Sequence, residues 1–169
     1  MKRVIAAIMV CVLIFSVTGC VKKSDTYVYK DKDNSWSIKV PNEFIKDREE
    51  TDEQQKTNSV YFKTEKETYL VINEIKDEKL VINEETLKEE LGVDDYIKVS
   101  RYDTVEIKDV GKAYGAVLTD EATNMSMLYY RLKYKDSAIS FILYRKGAFA
   151  PEQEAKAIAM ISTFKGLKR

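Results

Sequence analysis

The side chains best suited to catalysis are scarce in this sequence of 169 residues. Histidine, the commonest general base and a frequent metal ligand, does not occur at all. Histidine-based zinc sites and histidine-activated nucleophiles are therefore excluded. Adjacent carboxylates such as Glu84 and Glu85 are typical of a solvated face, because working pairs converge from different elements. We expect no catalytic residue and no enzyme activity, with a carboxylate- or Ser/Lys-based hydrolase as the least favoured alternative.

Asp31, Asp33 and Ser35 have the spacing of the first half of a calcium-binding loop. The glycine position of such a loop is Trp36 here, and the position of the bidentate glutamate is Asn42. The segment therefore predicts a polar hairpin turn. The sequence also lacks a phosphate-binding glycine loop and a G-x-S-x-G nucleophile elbow. We expect no metal and no cofactor.

The first 19 residues have the three parts of a secretory signal peptide. Lys2 and Arg3 precede an apolar run, Val4–Phe15, which is followed by small or weakly polar residues. A membrane-spanning helix needs about 20 apolar residues, so this run is too short to cross a bilayer. The segment predicts export from the cytoplasm.

The last four positions of this region, Val17, Thr18, Gly19 and Cys20, resemble the lipobox of bacterial lipoproteins. The resemblance implies that a peptidase removes residues 1–19 and that the Cys20 sulfur carries diacylglycerol, so that palmitate-type chains hold the protein at the outer face of the cell membrane. Cys11 leaves with the signal peptide, which excludes a disulfide within the mature chain. An uncleaved N-terminal anchor is the alternative, with the same location.

The charge balance gives no reason to expect a nucleic-acid partner, because 28 basic residues face 28 acidic residues. Removal of residues 1–19 would leave 26 basic residues, so the mature chain is weakly acidic. The length suits one domain. We expect the lipidated cysteine and a short tether at 20–26, a single monomeric domain at 27–165 and a basic tail at 166–169.

Alternating apolar residues in the first half of the mature chain predict strands. Residues 27–40 predict a β-hairpin, whereas 46–58 have no large apolar side chain and predict an exposed loop. Residues 59–63 and 68–75 predict a second strand pair, and the latter strand is apolar on both faces, as a covered central strand would be. The residues of the first hairpin expected in the core are Trp36, Ile38 and Val40.

The second half of the chain predicts two helices and four long strands. Asn83 and Gly92 have the residue types of a helix cap and stop, and Pro151 favours the start of a final helix that ends near Phe164. The strands are expected at 97–109, 112–120, 124–134 and 137–145. The stripe expected to face the core from the final helix consists of Ala155, Ile158, Ala159 and Ser162, widened by Ile161.

The segments Asp33–Pro41 (DNSWSIKVP) and Ile161–Phe164 (ISTF), with this order of elements, resemble the PsbP-like fold. That fold is shared by a photosystem II extrinsic protein and a small Ran-binding nuclear import factor. The resemblance implies the α+β class, with an antiparallel sheet of six or seven strands covered by one or two helices; another single-domain α+β sandwich is the alternative. It covers most of residues 27–165 and transfers no functional residue.

Eleven tyrosines are the remaining unusual feature of the sequence. Aromatic and methionine side chains are enriched in protein interfaces, although tyrosine is also an ordinary strand residue. We expect a non-enzymatic binding or scaffolding domain for an envelope protein or ligand, with an accessory subunit of a membrane complex as the alternative. The side chains that could form its exposed binding face are Tyr114, Met125, Met127, Tyr129 and Tyr144.

Overall fold

The computed structural model describes residues 24–92 and 97–167. The predicted signal peptide, the lipobox residues Val17, Thr18 and Gly19, and the lipidation site Cys20 lie outside these ranges. In chain order the elements are β1 Thr26–Lys30, β2 Trp36–Pro41, β3 Ile45–Asp52, β4 Thr57–Lys63, β5 Tyr69–Lys76, α1 Glu84–Leu91, β6 Ile97–Ile107, β7 Gly111–Asp120, β8 Met125–Tyr134, β9 Ser137–Lys146, α2 Pro151–Ile161 and β10 Lys165–Gly166.

Seven strands form one antiparallel sheet in the order β3-β4-β5-β9-β8-β7-β6. A second, three-stranded sheet has the order β1-β2-β10. The α+β class and the large antiparallel sheet with two helices are confirmed, and the four long strands begin and end within two residues of their predicted bounds. The small sheet closed by β10 is an addition that the sequence did not predict.

The turn between β1 and β2 explains why Asp31 is buried although it is charged. Its carboxylate accepts hydrogen bonds from the backbone N–H of Asp33 at 3.0 Å, from Ser35 Oγ at 3.0 Å and from the N–H of Trp36 at 2.8 Å. Asn34 takes a positive φ of 51°, which asparagine tolerates well. The predicted polar hairpin turn is confirmed.

The core lies between the inner face of the large sheet, the small sheet and α2. Trp36, Ile38 and Val40 are all buried there, as predicted. Phe164, just beyond α2, stacks on Trp36 with a centroid distance of 5.6 Å and meets the edges of further aromatic rings. The end of the chain therefore closes the core, which explains why β10 pairs with β2.

Helix α1 begins and ends where its sequence predicts. Asn83 Oδ1 accepts the backbone N–H of Thr86 at 2.8 Å, and the N–H of Asn83 donates in return to Thr86 Oγ1 at 3.1 Å. Gly92 follows the last turn. Leu87 is the buried residue of the helix, which lies on the outer face of the large sheet, against β7.

The prediction of an exposed loop at 46–58 is wrong, because most of this segment forms β3 and its turn into β4. Strand β3 is an edge strand whose side chains are nearly all exposed. It is held by backbone pairing with β4 and by ion pairs such as Lys63–Asp47 at 2.5 Å. Such a strand needs no apolar residue, and its charges protect the open edge of the sheet.

Strand β5 is central, as predicted, but it is covered on one face only. Leu70 and Ile72 are buried towards the core, whereas Tyr69, Val71 and Ile75 are partly exposed on the other face. Helix α1 contacts β7 and leaves this part of the sheet open. The expectation that both faces of this strand are covered is therefore wrong.

Three of the five residues predicted to face the core from the final helix do not do so. Ala155, Ala159 and Ser162 are exposed, whereas Ile158 is partly buried against the core and Ile161 is fully buried. The buried residues of α2 are instead Ala157, Met160 and Ile161. Both stripes contain alanine and isoleucine, but the buried stripe also includes Met160 and is continued by Phe164. Burial of this stripe therefore removes more apolar surface from water.

Candidate binding surface

The outer face of the large sheet has two rows of aromatic and aliphatic side chains that run across the strands. In the first row Tyr61 pairs with Val71, Val71 with Ile142, and Ile142 with Tyr129. In the second row Tyr69 pairs with Tyr144, and Tyr144 with Met127. All of these side chains are partly exposed. We use the name aromatic face for Tyr61, Tyr69, Val71, Met127, Ile142 and Tyr144.

Ring packing orders the aromatic face. The rings of Tyr69 and Tyr144 are stacked, with centroids 5.0 Å apart and planes 11° apart. Partial burial, together with the neighbouring Tyr69, raises the pKa of Tyr144. At the β3 side, the Arg48 guanidinium carbon lies 3.9 Å from the centroid of Tyr61, in a cation–π contact. The face therefore combines rigid apolar area with hydroxyl groups, and it ends at a guanidinium that also forms ion pairs with Glu50 and Asp47.

The strands themselves hold these side chains in place. Tyr61, Val71, Ile142 and Met127 come from four consecutive strands, each hydrogen-bonded along its length to the next. Neighbouring strands lie about 4.8 Å apart, so four strands span roughly 15 Å. A surface of this width, with tyrosines that have few rotatable bonds, loses little conformational entropy when a partner covers it.

The five residues predicted as a binding face all lie on this outer side of the sheet. Met127 and Tyr144 are register partners and belong to the aromatic face. Met125 lies at its margin, opposite Lys146 and Asp120 at the strand ends.

The other two predicted residues lie towards α1. Tyr129 is hydrogen-bonded to this helix, and Tyr114 lines an open cleft beside the helix N-terminus that also includes Glu84 and Glu85. The predicted set therefore shares one side of the sheet but is divided by α1. Whether it acts as a binding face stays a prediction.

Glu90 at the end of α1 forms the boundary of the open area. Its carboxylate accepts a hydrogen bond from Tyr129 Oη at 2.9 Å and forms an ion pair with Arg131. Burial raises the pKa of Tyr129 to about 12, while the charge of Arg131 lowers this pKa and that of Glu90 raises it. Lys88 lies over the ring of Tyr102, 5.2 Å from its centroid. These contacts fix α1 over β6, β7 and β8.

Four members of the aromatic face were missed by the sequence analysis: Tyr61, Tyr69, Val71 and Ile142. Successive side chains along each strand point to opposite faces of the sheet, so these four residues lie on the face opposite the core. That signal was present in the sequence, but it does not reveal which face the helices cover. Only the position of α1 shows that these residues are open.

The described ranges contain no group of three or more His, Cys, Asp or Glu side chains placed to hold a metal ion. The Asp31 carboxylate, at the first position of the calcium-like spacing, accepts hydrogen bonds from three donors of its own turn. Within the same ranges, no helix has the length and apolar character needed to cross a membrane.

Comparison with known proteins connects this chain to others through its fold. No protein-family model and no curated protein matches the sequence. Among solved structures, cyanobacterial PsbP (CyanoP) from Synechocystis sp. PCC 6803 matches with a TM-score of 0.55 and 13% identity, over 88% of this chain and 96% of that one.

The Ran-binding protein Mog1p from Saccharomyces cerevisiae matches with a TM-score of 0.54 and 10% identity, over 83% of this chain and 95% of that one. The chain therefore has a PsbP-like fold. At these identities the likeness extends to the fold alone, and function has to be argued from the surfaces of this chain.

Proposed function

We propose that this protein is a bacterial lipoprotein, anchored through Cys20 at the outer face of the cell membrane, whose domain binds or scaffolds another envelope protein without catalysing a reaction. The anchor is supported by the signal-like residues 1–19 and by the lipobox resemblance of Val17–Cys20. The binding function is carried by one observation, the aromatic face that α1 leaves uncovered.

The geometry of that face favours a protein partner over a small molecule. Small ligands bind in concave sites that enclose most of their surface. The aromatic face is instead a side of a sheet, with stacked rings such as Tyr69 and Tyr144, and it is flanked by the Arg48 guanidinium, which is paired with Glu50. Tyrosine and arginine are the residue types enriched where protein interfaces derive most of their binding energy.

The anchor is tested by Cys20→Ser in the full chain. Cells given a clickable palmitate analogue should label the unchanged protein and not the variant, and the variant should keep its signal peptide and migrate more slowly on a gel. Equal labelling of both proteins would contradict lipidation at Cys20.

Binding is tested by site-specific photo-crosslinking in intact cells. A photoreactive phenylalanine analogue at Tyr69 or Tyr144 should give the same discrete adduct, and the analogue at the exposed Lys108, in the β6–β7 turn, should not. Tyr114 separates two forms of the interface: an adduct there means that the partner also covers α1. Adducts no stronger at Tyr69 and Tyr144 than at Lys108 would overturn the proposal.

A second candidate, an accessory subunit of a membrane complex, gives a different result in the same experiment. Its adduct should co-purify with the other subunits of an assembly of fixed composition after detergent extraction. A free scaffolding or binding domain should be recovered with the crosslinked partner alone.

A further inference from the structure

The point where the chain enters the folded domain is tightly held. The backbone N–H of Asn42 donates to Asp25 O at 2.9 Å, and Asn42 Nδ2 donates to Ser24 O at 2.6 Å. The turn between β2 and β3 therefore fixes Ser24 in place. Four residue steps separate Ser24 from Cys20, which corresponds to at most about 14 Å of extended chain.

A groove of about 460 Å³ lies beside this point. Pro41, Ala159 and Met160 provide its apolar lining, and its charges are mixed: Lys39 and Lys156 are positive, Asp25 and Glu43 negative. Across the β2–β3 turn there is a second cleft of about 420 Å³, which shares Pro41, Lys156 and Met160 with the groove. The two hollows form one continuous surface around the position of Ser24.

Exposed apolar side chains occur on the same surface. In the described part of the chain, three large apolar residues are more than half exposed: Val28 at 55%, Ile45 at 60% and Val81 at 62%. Val28 pairs in register with Lys39, which lines the groove, and Ile45 lines the second cleft. Two of the three exposed apolar residues thus border the place where the tether begins.

We propose that this surface, defined by Val28, Lys39, Ile45 and Lys156 and here named the attachment surface, rests against the lipid bilayer. The inference depends on the lipid anchor proposed at Cys20. A tether of about 14 Å keeps the region around Ser24 within reach of the headgroups. Val28 and Ile45 then enter the interface, Lys39 and Lys156 meet lipid phosphates, and Asp25 and Glu43 meet the ammonium groups of zwitterionic headgroups.

The opposite end of the large sheet provides reference positions. Glu53 lies in the β3–β4 turn and Asp136 in the β8–β9 turn, and both are exposed. Ile45 begins β3, so the eight residues of that strand separate it from the Glu53 end by roughly 25 Å. A domain that rests on the attachment surface holds Glu53 and Asp136 away from the lipid.

The experiment uses the full chain, produced with its own signal peptide, purified in detergent and reconstituted into phosphatidylethanolamine–phosphatidylglycerol vesicles. An environment-sensitive fluorophore is attached in four single variants: Val28→Cys, Ile45→Cys, Glu53→Cys and Asp136→Cys. Selective labelling is possible because Cys11 leaves with the signal peptide and the Cys20 sulfur carries lipid. Nitroxide lipids then quench fluorophores that lie near the headgroups.

We expect quenching at positions 28 and 45 to exceed that at 53 and 136 by about threefold or more, since interfacial contacts place side chains about 5–10 Å deep. Ile45→Glu should reduce the quenching of the Val28→Cys label. Equal quenching at all four positions would overturn the inference, because the domain would then tumble freely on its tether. Quenching that rises with the protein-to-lipid ratio would also overturn it and assign the surface to a second copy of the chain.

The intact mass separates failure of this inference from failure of the proposed anchor. Purified protein that lacks the mass of lipid at Cys20 contradicts the anchor. Lipidated protein with uniform quenching contradicts the attachment surface and leaves the anchor intact.

Discussion

The indole N–H of Trp36 donates a hydrogen bond to Glu74 Oε2 at 3.3 Å, and so connects the small sheet to the large one. The other oxygen of the carboxylate accepts from Ser137 Oγ at 2.9 Å. Glu74 is only 7% exposed, and each of its carboxylate oxygens accepts a hydrogen bond from a protein donor. A buried carboxylate of this kind fixes how the two sheets pack, because each donor has one acceptor within reach.

Glu74→Ala should therefore destabilise the protein strongly. The change leaves two buried donors, Trp36 Nε1 and Ser137 Oγ, without an acceptor, and each such loss costs about 1–3 kcal/mol. We expect the free energy of unfolding in urea to fall by roughly 2–5 kcal/mol. Glu78→Ala, four residues further and exposed, is the matched control and should change it by less than about 0.5 kcal/mol. Similar values for the two variants would contradict the role of the Trp36–Glu74 bond.

The orientation of α2 is tested by two identical substitutions on opposite sides of the helix. Ala157 is 3% exposed and faces the core, whereas Ala159 is exposed. Ala157→Gln forces a larger polar side chain into packed surroundings and should cost about 2 kcal/mol or more. Ala159→Gln should stay within about 0.5 kcal/mol of the unchanged protein in the same urea titration. The reverse order would support the stripe that the sequence alone predicted.

The sequence predicts best those elements whose local signals agree with their packing. Helix α1 has its cap, its stop and one buried leucine, Leu87, and its predicted bounds are confirmed. The long strands alternate because one of their faces is buried, so their positions are also visible in the sequence. In both cases the residue pattern and the three-dimensional environment give the same answer.

The errors occur where non-local pairing decides the structure. Strand β3 is held by its neighbour β4, and its charged residues show no strand period. For α2, two apolar stripes are possible, and only the position of the small sheet selects Ala157, Met160 and Ile161. The aromatic face likewise depends on the cross-strand register and on the location of α1, neither of which can be obtained from local sequence.

Gly115 provides space for a tyrosine ring. It pairs in register with Tyr130, and a β-carbon at position 115 would lie 2.2 Å from Tyr130 Cδ1. Gly115→Ala must displace this fully buried ring, which should lower the free energy of unfolding by about 1–3 kcal/mol.

A double-mutant cycle with Tyr130→Leu provides the control for this prediction. The smaller side chain removes the clash, so the cost of Gly115→Ala in that background should be clearly lower. Equal costs in both backgrounds would mean that the ring does not determine the need for glycine at position 115.

Metal ions should not stabilise the folded domain. The described residues contain no cluster of ligands, and the carboxylate of Asp31 is engaged by its own turn. Because no such cluster occurs among the described residues, we expect neither calcium nor zinc to raise the unfolding temperature. Thermal unfolding of the purified protein with each ion, and again after a chelator is added, checks this. A rise of several degrees that the chelator abolishes would reveal a carboxylate site.

The raised pKa of Tyr129 makes the folded protein less stable at alkaline pH. Burial raises the pKa of its hydroxyl to about 12 in the folded state, from an ordinary value of 10.0. The folded state therefore keeps a proton that the unfolded chain releases first. The contribution is fully present below pH 10, the unfolded pKa, and is lost as the pH rises through the folded pKa.

Urea titrations between pH 9 and pH 11.5 measure this loss. A single tyrosine contributes a slope of at most about 1.4 kcal/mol per pH unit, and the raised pKa values of Tyr29 and Tyr130 add in the same direction. Tyr129→Phe keeps the ring, removes the titrating hydroxyl and its bond to Glu90, and should make the decline above pH 10 less steep. Comparison with this variant also cancels the titration of lysines, which is common to both proteins. An unchanged slope in Tyr129→Phe would show that the Tyr129 hydroxyl ionises in the folded protein as readily as in the unfolded chain.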